Sequence, residues 1–188
     1  MPTLAQRAEN FLAQLLSSQR GRDRKLFLKS AVFAGHPDPN ILVISPELGE
    51  SGAAMTIDHS PFGANACPEL SWTVQESSQP PVEYVVVVED PDAPLPSLVV
   101  HGIYYSIPST KRTLTRADLQ LDDDSAATTK GGFRYGLNRM KSVVALNDKI
   151  QGKDAGSPKM TKEELQERVA GKIVGWGEWI GTFERKLE

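Results

Sequence analysis

Residues Val85 to Pro108 read VVVVEDPDAPLPSLVVHGIYYSIP, and their interpretation decides the fold. Four consecutive valines show no polar–apolar alternation, so a strand built from them must be covered on both faces, as a central strand is. The run stops at Asp90. The prolines that follow, Pro91, Pro94 and Pro96, offer no backbone N–H and fix φ near about −65°. Such a segment cannot continue a central strand, so it turns out of the sheet. Its stiffness holds Asp90 and Asp92 in place at small entropic cost on binding. His101 then opens a second apolar run. If the two runs are neighbours, the imidazole comes near the Asp90 carboxylate. That neighbour favours the charged, doubly donating ring, which can donate to an anion such as phosphate. Two plainer readings stay open: Asp-Pro-Asp is good turn chemistry by itself, and a histidine at a strand edge often has a purely structural role.

Outward from this stretch the texture is repetitive. NILVISPEL, AAMTID, ELSWTV, VEYVVVVE, VVHGIYYSI, KSVVALND and GKIVGWGEWIGTFER are short segments rich in β-branched and aromatic residues, parted by Gly, Pro, Asn and Asp. This spacing predicts a mostly antiparallel β protein, a sandwich or barrel. LDDDSAATTKGG reads as an exposed acidic loop. Thr161 with Glu164 three residues on forms a capping box that opens a helix, and Gly171 closes it. In the final strand, Gly175, Gly177 and Gly181 permit bulges or close backbone approach.

Ahead of these segments, LAQRAENFLAQLLSS places Leu4, Ala8, Phe11, Leu12, Leu15 and Leu16 on one helical face, with Thr3 as N-cap. We expect a docked amphipathic helix and a solvated basic linker, RGRDRK, over residues 1–24, and one domain over 25–188.

The chain has 188 residues, 39% hydrophobic and 24% charged, with a net charge of −3. That length supports one domain with a sizeable core. The charge gives no reason to expect nucleic acid as a partner. No apolar run is long enough to span a bilayer. The single cysteine, Cys67, rules out an internal disulfide and suits a reducing compartment, so we expect a cytoplasmic protein with Cys67 as a small buried residue. Arg7, Arg20, Arg22 and Arg24 also fit a mitochondrial presequence, which Glu9 and Asp23 weaken.

Signatures of catalysis are missing. There is no G-x-S-x-G elbow, no phosphate-cradling G-x-x-x-x-G-K-[ST] loop, and no zinc spacing of Cys and His. An Asp–His pair could orient Ser106, but Ser106 lies at odd separation from His101 and in a regular strand faces the other side. Asp90 with Asp92 as a glycosidase pair rests on a common turn motif. We expect no enzyme, no cofactor and no metal.

PELSW at Pro68–Trp72, the strand ending in DPDAP at Asp90–Pro94, VVHGIYYSIP, GGFRYGLNR at Gly131–Arg139 and the final GKIVGWGEWIGTFER together resemble the phosphatidylethanolamine-binding protein family, most closely its fungal members. That family includes Raf kinase inhibitor proteins and the yeast carboxypeptidase Y inhibitor. The resemblance runs from about Ala31 to Arg185. It implies a large antiparallel sheet packed on a smaller one, with peripheral N- and C-terminal helices. It also implies a pocket at the sheet edge for phosphate, acetate or a phosphoethanolamine head group. Carried over by motif, the ligand-binding residues are Asp90, Pro94 and His101, supported by Pro91, Asp92 and Gly102. Many members have Trp near this histidine where Gly102 stands here. The partners implied are a phospholipid head group or small anion, or else a serine carboxypeptidase or kinase. The chain departs from the family after Arg139: the Pro-rich loop and the G-x-H-R-Y element are missing, and no histidine follows His101. The resemblance therefore implies a pocket with one wall incomplete, which Arg134 or Tyr135 could approach.

Overall fold

The computed structural model describes residues 22–60, 63–64, 66–75, 79–91, 98–120, 129–135, 141–146, 148–149 and 160–183. The amphipathic segment before Gly21, and Asp92 and Pro94 of the DPDAP motif, lie outside the described residues.

Two antiparallel sheets form the body. The large sheet contains β3 (Glu83–Asp90), β4 (Val99–Pro108), β6 (Arg134–Tyr135), β7 (Lys141–Leu146) and β8 (Ile173–Trp179), in the order β6-β4-β3-β7-β8. The small sheet has the order β1-β2-β5, from β1 (Ile41–Ile44), β2 (Leu70–Val74) and β5 (Thr113–Leu114). Helix α1 (Arg116–Leu119) follows β5, and α2 (Lys162–Val169) precedes β8.

The valine run is central, as its composition requires. Val85, Val86 and Val87 are fully buried, and β3 is flanked by β4 and β7. Val86 and Tyr84 join Ile41, Val43, Leu70, Trp72 and Ile107 in the core between the two sheets. Val85 and Val87 face the opposite way, into a second core closed by Phe27, Phe33, Leu165, Val169 and Trp176. Period-2 alternation thus operates within the run, with both faces apolar because both are covered.

Helix α2 forms as its signals predict. Thr161 Oγ1 accepts from the Glu164 amide, the Glu164 carboxylate accepts from the Thr161 amide, and Gly171 follows with φ +72°. In β8, a Cβ on Gly177 would lie 2.0 Å from the Ile41 carbonyl oxygen, so only glycine lets β1 pack this closely.

Three local expectations are corrected. AAMTID is not a strand. Ala54 makes only an isolated bridge to Thr182, and Ile57–His59 is a 3₁₀ turn, because the segment's backbone bonds go to the end of β8 over a short length. In LDDDSAATTKGG, of which residues 121–128 lie outside the described residues, Lys130 and Gly132 are exposed but Thr129 is fully buried and accepts from the Phe133 amide. Cys67 is half-buried rather than buried. Within RGRDRK, Asp23, Arg24 and Lys25 are exposed on the 3₁₀ turn Arg22–Lys25, which leads to the buried Phe27 and Leu28.

Candidate functional site

Strands β3 and β4 are neighbours, so the residues opposing His101 can be read from their register. Val88 pairs with Gly102, Glu89 with Val100 and Asp90 with Val99. Two residues of β3 are thus opposed by three of β4, and His101 is the extra one. This is a β-bulge, a device that re-aims a side chain and ends regular pairing. A second register shift lies between Tyr84 and Val86, where Ser106 on β4 has φ +62°. Because β4 is bulged twice, the parity argument that set Ser106 on the face opposite His101 does not apply to it.

His101 is 3% exposed, and its Nε2 is buried with no hydrogen-bond partner among the described residues. A buried ring nitrogen left unpaired is costly, and such atoms are rare. Asp90, at the end of β3, is half-buried. Pro91 is buried. Gly102 is buried, and a Cβ there would meet Tyr104 Cε2 at 2.5 Å. The Tyr104 ring therefore occupies the space beside Gly102. Asp90, Pro91, His101 and Gly102 are thus brought to one end of the β3–β4 pair; Asp92 and Pro94 are outside the described residues.

On the other flank, the β3–β7 ladder stops at Val87–Ser142. Val88 to Asp90 extend beyond it. Of the two residues considered for the incomplete wall, Tyr135 pairs with Tyr104 and Arg134 with Tyr105, three and more residues along β4 from His101.

Glu89 was not singled out by its sequence. It is 1% exposed, and Oε2 accepts from the Phe27 amide at 2.7 Å while Oε1 accepts from Lys162 Nζ at 2.8 Å. Lys162 Nζ also donates to the Lys25 carbonyl at 2.5 Å. One carboxylate thus fastens the N-terminal turns and α2 to the strand that carries Asp90. The signal was present in strand parity, since Glu89 shares a face with Val85 and Val87. Among the described residues no cluster of His, Cys, Asp and Glu is arranged to hold a metal, and no helix is long and apolar enough to cross a membrane.

A two-sheet β fold, a DPDAP strand end and a bulged histidine beside it define a class of binding domain. The sequence profile of the phosphatidylethanolamine-binding protein family matches residues 46–184, and the chain belongs to that family. It is 36% identical over 197 aligned residues to "Phomoidride biosynthesis cluster protein B" of Talaromyces stipitatus, covering 93% of this chain and 80% of the relative. It is 34% identical over 206 residues to the protein of the same name from a second fungus (Fungal sp.), covering 98% and 97%. Both aligned lengths exceed the 188 residues of this chain, so each relative carries residues with no counterpart here. The fold is similar to a phosphatidylethanolamine-binding protein homologue from Chlamydia trachomatis (TM-score 0.58, 23% identity, 79% of this chain and 100% of that one). It is also similar to YbcL of E. coli, described as a member of the mammalian family (TM-score 0.54, 22% identity, 78% and 99%).

Proposed function

We propose that this chain is a non-enzymatic binding protein whose Asp90, Pro94 and His101 take a small anion of the kind found in a phospholipid head group. Pro91, Asp92 and Gly102 shape the site. The observation that supports this reading is the buried, unpartnered Nε2 of His101 at a bulge beside Asp90. With its proton on Nε2, the ring donates to a phosphate or carboxylate oxygen. The missing G-x-H-R-Y element removes donors from the opposite wall, each worth roughly 1.5–3 kcal/mol to a charged partner. The affinity is accordingly weak for the family. Calorimetric titration with phosphorylethanolamine tests the reading: saturable binding is expected, reduced at least about tenfold in His101→Ala. Equal binding by both proteins refutes it.

The names of the two fungal relatives favour one refinement. A name drawn from a biosynthesis cluster favours a small anionic molecule over a membrane lipid as the occupant. Acetate competing with phosphorylethanolamine, together with no binding to phosphatidylethanolamine vesicles, is the expected pattern.

The alternative is a regulator of a serine carboxypeptidase or kinase acting through protein contact. It is favoured by the amphipathic segment Leu4–Leu16. Inhibition of carboxypeptidase Y by the full chain, lost on removal of residues 1–24, would support it. An esterase screen is expected to find no activity for His101→Ala to abolish.

A further inference from the structure

We propose that Glu89 is a positioning residue for the anion site: held by the Phe27 amide and Lys162, it fixes the strand register that presents His101. This rests on the reading of His101 as the anion-binding group. The β3–β4 ladder is regular from Val86–Tyr104 through Val87–Ile103 to Val88–Gly102. Continued one step, it would set Glu89 opposite His101 and Asp90 opposite Val100. Instead, Glu89 pairs with Val100 and Asp90 with Val99.

The two registers present His101 differently. Directly opposed residues share a face of the sheet, and successive residues of a strand alternate. In the regular register His101 would lie on the Glu89 face, over the core of Phe27, Val85, Val87 and Leu165, while Asp90 leaves by the other face. In the observed register Val100 takes that place and packs against the same core. His101, the extra residue, is released from it.

Backbone pairing does little to choose between the two. The β7 ladder ends at Val87, and β6 meets β4 only at Tyr104 and Tyr105. Among the described residues, the end of β3 and the start of β4 have no strand partner but each other, so no third strand opposes a slip. The Glu89 side chain supplies what the ladder lacks. It is 1% exposed; Oε2 accepts from the Phe27 amide and Oε1 from Lys162 Nζ, which also donates to the Lys25 carbonyl. The N-terminal turns and α2 thus converge on one side chain directly after the register shift. The clamp draws Phe27 and Lys162 over the position opposite Glu89, which Val100 fills. An imidazole there would be larger and would set a polar ring into an apolar core beside the lysine charge. A buried ion pair is often no more stabilising than apolar residues of similar volume, and this face is otherwise apolar. What the carboxylate contributes is position.

The test compares the full chain with Glu89→Leu/Lys162→Met, which makes both ends of the pair apolar, and with Glu89→Gln/Lys162→Met, whose amide oxygen still accepts from Phe27. In the ligand-free proteins, cross-strand NMR contacts read the register. Asp90 should meet Val99 in the wild type and Val100 in the Leu/Met variant, with the His101 Nε2 resonance displaced. Calorimetry with phosphorylethanolamine should show that variant binding at least about tenfold more weakly, since a competent register populated at about a tenth lowers affinity by that factor. The Gln/Met variant should return to within about threefold of the wild type. Should the Leu/Met variant not fold, Lys162→Met alone is expected to weaken binding at least about threefold and to displace the same resonance. A folded Leu/Met variant that keeps the Asp90–Val99 contact, or binds like the wild type, overturns the proposal; so does wild-type register and affinity in Lys162→Met. Absence of binding by the wild type, with the register changed in the variant, contradicts the anion reading while upholding the register role of Glu89.

Discussion

Lys162 Nζ donates to Glu89 Oε1 at 2.8 Å, with side-chain exposures of 12% and 2%, so the last helix is bonded to the strand that ends in Asp90. Removing one member of a buried pair leaves the other charge uncompensated. Lys162→Met should cost about 3 kcal/mol in urea unfolding, and adding Glu89→Gln should recover part of it, because Gln still accepts from the Phe27 amide. Wild-type stability in Lys162→Met would mean that the pair is solvated and contributes little.

Gly177 and Ser106 test the backbone in opposite directions. Gly177→Ala sets a Cβ against the Ile41 carbonyl and should cost at least about 1–3 kcal/mol. Ser106 occupies the left-handed region, where an L side chain is strained, so Ser106→Gly should leave stability unchanged or raise it by up to about 1 kcal/mol, although it puts glycine in a strand. Thermal unfolding of the two variants checks both signs.

Asp118 predicts a limb of acid sensitivity. Burial tends to raise its pKa, but hydrogen bonds from Lys111 and Thr115 outweigh this and hold it below the usual carboxylate value. The folded chain therefore binds this proton less readily than the unfolded chain. The stability that Asp118 contributes is complete above about pH 4 and is lost as pH falls through the native value below it. Stability measured from pH 6 to pH 2.5 should decline less steeply in Asp118→Asn. Parallel curves would remove Asp118 from the acid response. Thr115→Ala, which breaks the same capping box, should cost about 1 kcal/mol at neutral pH.

Much of this architecture was legible in the sequence. The unalternating valines required a strand covered on both faces, and Thr161 with Glu164 and Gly171 marked both ends of α2. What was missed depends on tertiary pairing. Thr113–Leu114 and Arg134–Tyr135 are strands two residues long, too short for any period, and exist because β2 and β4 offer an edge. AAMTID has strand composition but meets only the end of β8. At the site, Asp90 and His101 were visible as polar groups closing and opening apolar runs. The bulge was not, because it is a property of register between two strands, and no pattern within β4 alone records it.

The central claim is that His101 meets an anion through Nε2. The most direct measurement is the His101 side-chain ¹⁵N spectrum during titration with phosphorylethanolamine. The account predicts a saturable shift of the Nε2 resonance, with His36 and His59 unmoved, and a weaker midpoint in Asp90→Asn. A His101 signal that stays fixed while shifts appear elsewhere would contradict it.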